Sequence, residues 1–418
     1  MNLLFPDRDG LTRDPLRFLL GKADSSSAPM TPLSLGFHRV LLINDLALMN
    51  DSLFFRGTLC APGSSLFSPI EINQARMWRK AQPKAEKSSE DCATIISDLV
   101  DELLIGLRKS IFSAYRHASF DCWQFSNLLA TKLAFIVLFG SRSEDVVDRQ
   151  AFSHHAEIVH SFKDVIALDI ICGNERQRIK KQKDCKQSLQ VIMSAVQKAF
   201  SCRQAQSVCA YAYRTSYPLE EICQLAVATQ QVTAEAFFWT IFALSRTQSL
   251  RAIVEEEADA CLSSDGDLDK NKLDIAQVTK SLSLEIIRLV PMNNIIVFDC
   301  KSRSILKEYG VRGGEKLVVC PYAIFRSTRY FTNADKMMIG RKYSADLFGL
   351  QYLSCGGGIV FQIVLLNLAL LLLDLSAAFE LELVEGPGEF VALPSFRSAR
   401  PNVKVRLNLR RSKLFRSP

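Results

Sequence analysis

The chain has 418 residues, with 48% hydrophobic and 23% charged side chains, a composition that supplies a large core and excludes a disordered chain. A formal charge of +7 over this length is modest and falls short of the one-sided basicity of a nucleic-acid binder. Twelve cysteines without a CxxC pair, behind an N-terminus in which Pro6 and charged residues at once interrupt the apolar start, predict free thiols, no export and a cytoplasmic location.

In chain order, the stretch to about Leu53 reads as turns and short strands, with a strand over His38 to Asn44 and a polar loop over Ser25 to Pro32. Apolar residues from Ile95 to Leu104 recur at helical spacing and predict a helix over Cys92 to Lys109. A second is expected over Phe125 to Phe139, stopped by Gly140. Arg178 to Lys186 reads as a solvated helix face or loop, and the histidines at 154, 155 and 160 fit a solvated helix better than a metal site. A long helix starts at Pro218 and passes Trp239. Helices follow over Ser249 to Leu262, with Glu255, Glu256 and Glu257 on its surface, and over Asp274 to Leu289, ended by Pro291; Ser263 to Asp269 is a loop between them.

Beyond Pro291 the pattern changes to strands at Ile295 to Phe298 and Lys316 to Cys320, with a turn at Gly313-Gly314. Ile359 to Leu373 is strongly apolar but only 15 residues, interrupted by Gln362 and Asn367; a span needs about 20, so a buried core helix and no transmembrane segment are expected. Phe379 to Val384 and an alternating Val403 to Leu409 close the chain. The fold class is mainly α with small β-sheets. One domain over residues 1–418 is expected, β-rich near 34–60 and 295–320, with C-terminal strands in 379–409.

Two patterns carry chemistry. Glu285 and Arg288, three apart in SLEIIRLVP, share a helix face and can pair within an apolar surrounding. Cys355 lies in FGLQYLSCGGG, a glycine-rich loop that leads into the apolar helix. Backbone N–H groups and the helix dipole favour a thiolate there, and the glycines let the backbone approach a flat group.

The run from Cys320, CPYAIFRSTRYFTNADKMMIGRKY, is similar to the cytochrome P-450 family after its Glu-x-x-Arg helix, through Pro321 to Ile324, Arg326, Arg329 to Phe331 and Asp335. Without a gap, Arg341 falls on the arginine that joins Glu285 and Arg288 in the family's buried triad; Cys355 falls on the haem ligand and Gly357 on the glycine after it. LLATKLAFIVLFG (Leu128 to Gly140) and DPLRFLL (Asp14 to Leu20) also resemble family segments.

The resemblance, to a divergent member of the soluble bacterial type, implies the cytochrome P-450 fold and haem b (iron protoporphyrin IX) ligated by Cys355 beside Phe348, with Trp78 and Arg79 on an early helix near a propionate. It implies a haem-thiolate monooxygenase acting on an apolar small molecule, with electrons from a ferredoxin- or flavodoxin-like partner that basic residues such as Lys336 and Lys342 attract. Loops around Leu59 to Ile72 would set the substrate.

Departures are as specific as matches. Gln351 stands where a glycine is usual; Leu353 and Phe298 stand where cations usually hold the propionates, with Lys301 or Arg303 as possible substitutes. In the long helix, Ala228 to Thr233 matches Ala-Gly-x-acid-Thr-Thr, but Gln231 replaces the acid and Val232 the first threonine, a pair that relays protons to bound oxygen in the family. Gln231 does not exchange protons near neutral pH, Val232 has no hydrogen-bonding group, and Thr233 lies about 100° further round the helix. An enzyme that uses peroxide or rearranges its substrate, or a degenerate member without turnover, are the alternatives this leaves.

Overall fold

The computed structural model describes residues 7, 10–11, 14–35, 39–49, 60–62, 99–159, 175–203, 207–208, 219–291, 293–300, 302–306, 308–343, 358–387 and 401–410. Its named helices longer than one turn are α1 (Pro15–Ser25), α2 (Val100–Tyr115), α3 (Cys122–Phe139), α4 (Glu175–Ser201), α5 (Leu219–Arg246), α6 (Gln248–Ala260), α7 (Gln277–Leu289), α8 (Pro321–Arg326) and α9 (Gly358–Ala378). Strands are β1 (Met30–Ser34), β2 (Arg39–Ile43), β3 (Cys60–Pro62), β4 (Phe120–Asp121), β5 (Ile296–Cys300), β6 (Ser304–Leu306), β7 (Tyr309–Val311), β8 (Lys316–Val319), β9 (Phe379–Glu385) and β10 (Lys404–Leu409). The fold is mainly helical with small sheets, as the sequence predicts.

α5 is the axis. Phe237, Phe238, Ile241, Phe242 and Leu244 are wholly buried on it, and α3, α4, α6, α7 and α9 all pack against it. α3 starts where the Asp121 carboxylate accepts the Gln124 N–H at 2.6 Å and stops at Gly140, whose φ of 94° is open to glycine. From Leu129 to Gly140 every residue of α3 is buried. α9 continues past the expected Leu373 to Ala378, because Asp374, its acidic break, is buried against Arg108 of α2 at 2.8 Å. Cys122–Phe139 and Val360–Ala378 are each long and apolar enough to cross a membrane by length and composition, so the short reading of the last apolar segment is corrected. In both, 78% of the apolar stretch is buried against the rest of the protein.

The largest sheet has the order β1-β2-β8-β5-β3, antiparallel except for the parallel β2–β8 pair, Val40 opposite Lys316. With α8 it encloses a second core of Leu41, Ile43, Leu317, Val319, Phe325 and Phe331. β4-β10-β9 and the β6–β7 hairpin complete the sheets.

Several local expectations change. Residues 15–25 form a helix rather than turns, because Asp14 accepts the Arg17 N–H at 3.2 Å and Pro15 occupies the first turn. Met30 to Pro32, expected in the loop, belong to β1, which runs at the sheet edge, where Pro32 is tolerated. α2 runs six residues past Lys109, while 92–98 lie outside the described residues. Cys185, in the basic run of α4, is buried. Of the three acids expected on the surface of α6, only Glu256 is exposed. Glu255 meets Arg251 at 3.8 Å and Arg410 at 3.6 Å. Glu257 accepts the N–H groups of Val278 and Thr279, both at 2.7 Å, and caps α7 from outside the helix.

Glu257→Ala is expected to cost about 1–2 kcal/mol in urea denaturation, since two helix-start N–H groups lose their acceptor. Glu256→Ala, at the exposed neighbour, should stay within about 0.5 kcal/mol.

Candidate functional site

Glu285, Arg288 and Arg341, predicted from spacing and resemblance, come together around one carboxylate. Glu285 and Arg288 are both fully buried on α7. Arg288 grips Glu285 with two parallel bonds, Nε to Oε1 at 2.7 Å and Nη2 to Oε2 at 2.9 Å. Arg341 Nε donates to Oε1 at 3.0 Å, and the Met338 N–H to Oε2 at 2.9 Å. The Tyr343 hydroxyl donates to Oε1 as well. Spacing could reveal the pair but not Tyr343 or Met338, whose approach depends on the path of the intervening loop.

The arginines hold that loop by its carbonyls. Arg288 donates to Phe325 O at 2.8 Å, to Ala334 O and to Lys336 O at 3.0 Å. Arg341 donates to Thr332 O at 2.8 Å, Asn333 O at 3.4 Å and Lys336 O at 3.3 Å. Both guanidinium groups stack over Phe331, at 5.0 and 5.4 Å. Arg326 ties α8 to the end of α7 through Leu289 O at 2.6 Å and lies 3.9 Å over Tyr322.

Burial alone would push the Glu285 carboxyl up, but the Arg288 bonds and charge, with Tyr343 and the Met338 N–H, bring it below the ordinary carboxylate value. Tyr343 moves the other way, pushed far above an ordinary phenol by burial and the Glu285 charge. The result is an ionised acid locked among neutral and cationic donors. It is a structural node and not an acid–base pair.

The second predicted group lies on α5. Gln231, Val232 and Thr233 are all buried, within a turn that also buries Thr229 and Gln230. Gln230 Nε2 donates to Asn127 Oδ1 of α3 at 2.5 Å, and Gln231 Nε2 to Gln230 Oε1 at 2.7 Å. Gln231 Oε1 and the hydroxyls of Thr229 and Thr233 have no partner among the described residues. Each such atom costs about 1–3 kcal/mol unless water or a ligand meets it. Leu225, Ala228 and Val232 form one buried apolar stripe on α5.

Cys355, Gly357, Phe348, Trp78 and Arg79 lie outside the described residues, as do Gln351, Leu353, Lys301 and 59, 63–72 of the substrate loops. The described helices α5 and α9 pack on each other, and Ala228, Val232, Val360 and Phe361 are uncharged side chains of the kind that would border the apolar body of a haem. They fit its propionates less well, because Phe298 is a buried apolar residue of β5 and Arg303 is exposed in the turn before β6. His155 Nδ1 lies 3.1 Å from Ser188 Oγ, and no group of metal-ligating side chains converges among the described residues.

No protein-family model matches the chain. It is similar to "LUTEIN DEFICIENT 5, chloroplastic", a plant cytochrome P-450 of Arabidopsis thaliana, at 21% identity over 145 residues. The match covers 33% of this chain and only 24% of that relative, so it supports a haem-dependent oxidoreductase family in general terms. That relative is a chloroplast protein, and two apolar helices here reach membrane-spanning length; the expectation of a cytoplasmic location is overturned.

Glu285→Gln should cost about 3–5 kcal/mol at neutral pH in urea denaturation, because it leaves Arg288 buried without its counter-charge. The wild-type contribution is present above the ordinary carboxyl value of 4.5 and is lost as pH falls through the lower folded value, so the variant's acid limb should be flatter. A neutral-pH cost below about 1 kcal/mol would contradict a charged node.

Proposed function

We propose that the chain is a divergent haem-thiolate monooxygenase of the cytochrome P-450 family, folded as a single domain over residues 1–418, that inserts one oxygen atom from O2 into an apolar small molecule. The observation that carries this reading is the Glu285–Arg288–Arg341 cluster, which fastens residues 325–343 immediately before the segment bearing Cys355. A loop that presents a thiolate to a metal needs its entry fixed, and Tyr343, bonded to Glu285, is that entry.

In this reading Cys355 holds the iron, Phe348 and Gly357 line its loop, and Trp78 and Arg79 approach from an early helix. Haem b supplies the electron-rich iron that makes oxygen transfer possible. Ala228 and Val232 form an apolar wall that keeps bulk water out. Val232 carries no exchangeable proton, and Gln231 holds its amide against Gln230; protons would therefore come by way of substrate or ordered water. Lys336 and Lys342, exposed beside the cluster, suit an acidic ferredoxin- or flavodoxin-like electron donor.

Val232 and Phe298 also favour a second reading, in which the haem-thiolate centre works with peroxide or rearranges its substrate and needs no proton relay. The third alternative, a degenerate family member without turnover, either binds haem and differs only in rate or no longer binds haem and lacks the spectrum.

Reduced, CO-treated protein is expected to show the red-shifted Soret band of thiolate-ligated haem, and Cys355→Ala to lose it. Protein that takes up no haem after supplementation overturns both enzyme readings. Turnover driven by NADPH with surrogate redox proteins, compared with turnover on peroxide, separates them; under the monooxygenase reading Val232→Thr raises product formed per electron consumed.

A further inference from the structure

A cleft of about 810 Å³, outside the site proposed above, opens between the end of α2, the start of α3 and residues 147–150. Its floor is apolar, with Phe120 and Phe125 in a tilted ring pair at 4.9 Å and Leu128 and Leu129 on α3 beside them. Its polar edge is basic: Lys109 of α2, Lys132 of α3 and Arg149. Lys132 is only 6% exposed, in a stretch of α3 otherwise buried and almost wholly apolar. Gly106 of α2 lets α3 approach closely there, since a Cβ would meet Ile136 Cδ1 at 2.9 Å and Lys132 Cε at 3.3 Å.

The two carboxylates of the cleft are turned to backbone. Asp121 accepts the Gln124 N–H at 2.6 Å and Asp148 the Ala151 N–H at 3.0 Å, each capping a helix. The side chains of Lys109 and Arg149 are exposed and have no ion-pair partner among the described residues. Ser113, Ser119 and His117 add hydrogen-bonding groups along the same edge. The volume lies within the range of small-molecule sites, and the division into an apolar floor and a cationic edge matches one kind of ligand.

We infer that this cleft binds an organic anion, a carboxylate or phosphate head on an apolar body, with the body on Phe120, Phe125 and Leu128 and the head between Lys109, Lys132 and Arg149. A neutral body of the same shape gains the apolar contact but leaves Lys109 and Arg149 in water. A small inorganic anion gains the charge contacts alone.

Calorimetric titration of the full chain with decanoate, decyl phosphate and decanol tests this without reference to haem. Decanoate and decyl phosphate should each bind saturably, at least about tenfold tighter than decanol, and their relative strength identifies the preferred head group. Lys109→Ala with Arg149→Ala, both exposed and outside the core, should weaken anion binding at least about tenfold, while Lys280→Ala on α7 leaves it unchanged. Equal affinity for decanol, no saturable binding, or anion binding that survives the double substitution overturns the assignment. The last outcome would place the anion elsewhere, the haem region included.

Discussion

A carboxylate and a guanidinium withdrawn completely from water are expensive to place, and their mutual attraction rarely covers the desolvation unless every remaining donor and acceptor is met. Glu285 and Arg288 satisfy that condition by recruiting groups far away in sequence. Glu285 takes Arg341, Tyr343 and the Met338 N–H in addition to Arg288. Arg288 gives its other hydrogens to the carbonyls of Phe325, Ala334 and Lys336. Residues 327–343 contain no helix or strand, so the ion pair takes the place of a backbone ladder. Their conformation follows from the demand of two buried charges for hydrogen bonds.

The central helix α5 meets a different constraint at each end. Its later turns carry Phe237, Phe238, Trp239 and Phe242, all almost completely buried, and dispersion with the surrounding helices fixes them. Its middle turn is buried as deeply but is chemically mixed, with Thr229, Gln230, Gln231 and Thr233 in place of aliphatic residues. Asn127 answers Gln230, and the chain of amides ends at the Gln231 carbonyl oxygen. A core helix chosen only for stability would place apolar side chains there.

The parts legible in the sequence are those governed by local rules. Gly140 announced the end of α3, Pro291 the end of α7, and the spacing of Glu285 and Arg288 their common face. Resemblance added Arg341, which spacing could not supply across 53 residues. The misreadings share a cause, namely that a distant partner changes the meaning of a residue. Glu257 looks like a solvated acid until α7 brings Val278 and Thr279 to it. Asp374 looks like the break in an apolar helix until Arg108 neutralises it. The start of α1 was a different failure, because Asp14-Pro15 is a local helix-start signal.

Under the proposed function the two candidate groups make different physical demands, one for holding haem and the other for oxygen chemistry. Holding a thiolate loop requires fixed charge and a rigid entry, and the Glu285 cluster supplies both with five donors on one carboxylate. Moving protons requires groups that exchange them near neutral pH, and the turn at Gln231, Val232 and Thr233 contains none. α7 packs against α5, but the loop that α7 holds is fastened through charge, while the α5 turn is braced by α3 through Asn127. A centre that keeps its metal firmly yet receives protons only from what enters the pocket would make its chemistry depend on the bound molecule. Such a molecule, if it carries a hydroxyl or an ordered water, completes the relay; if it is wholly apolar, it favours chemistry that needs no proton delivered from the protein.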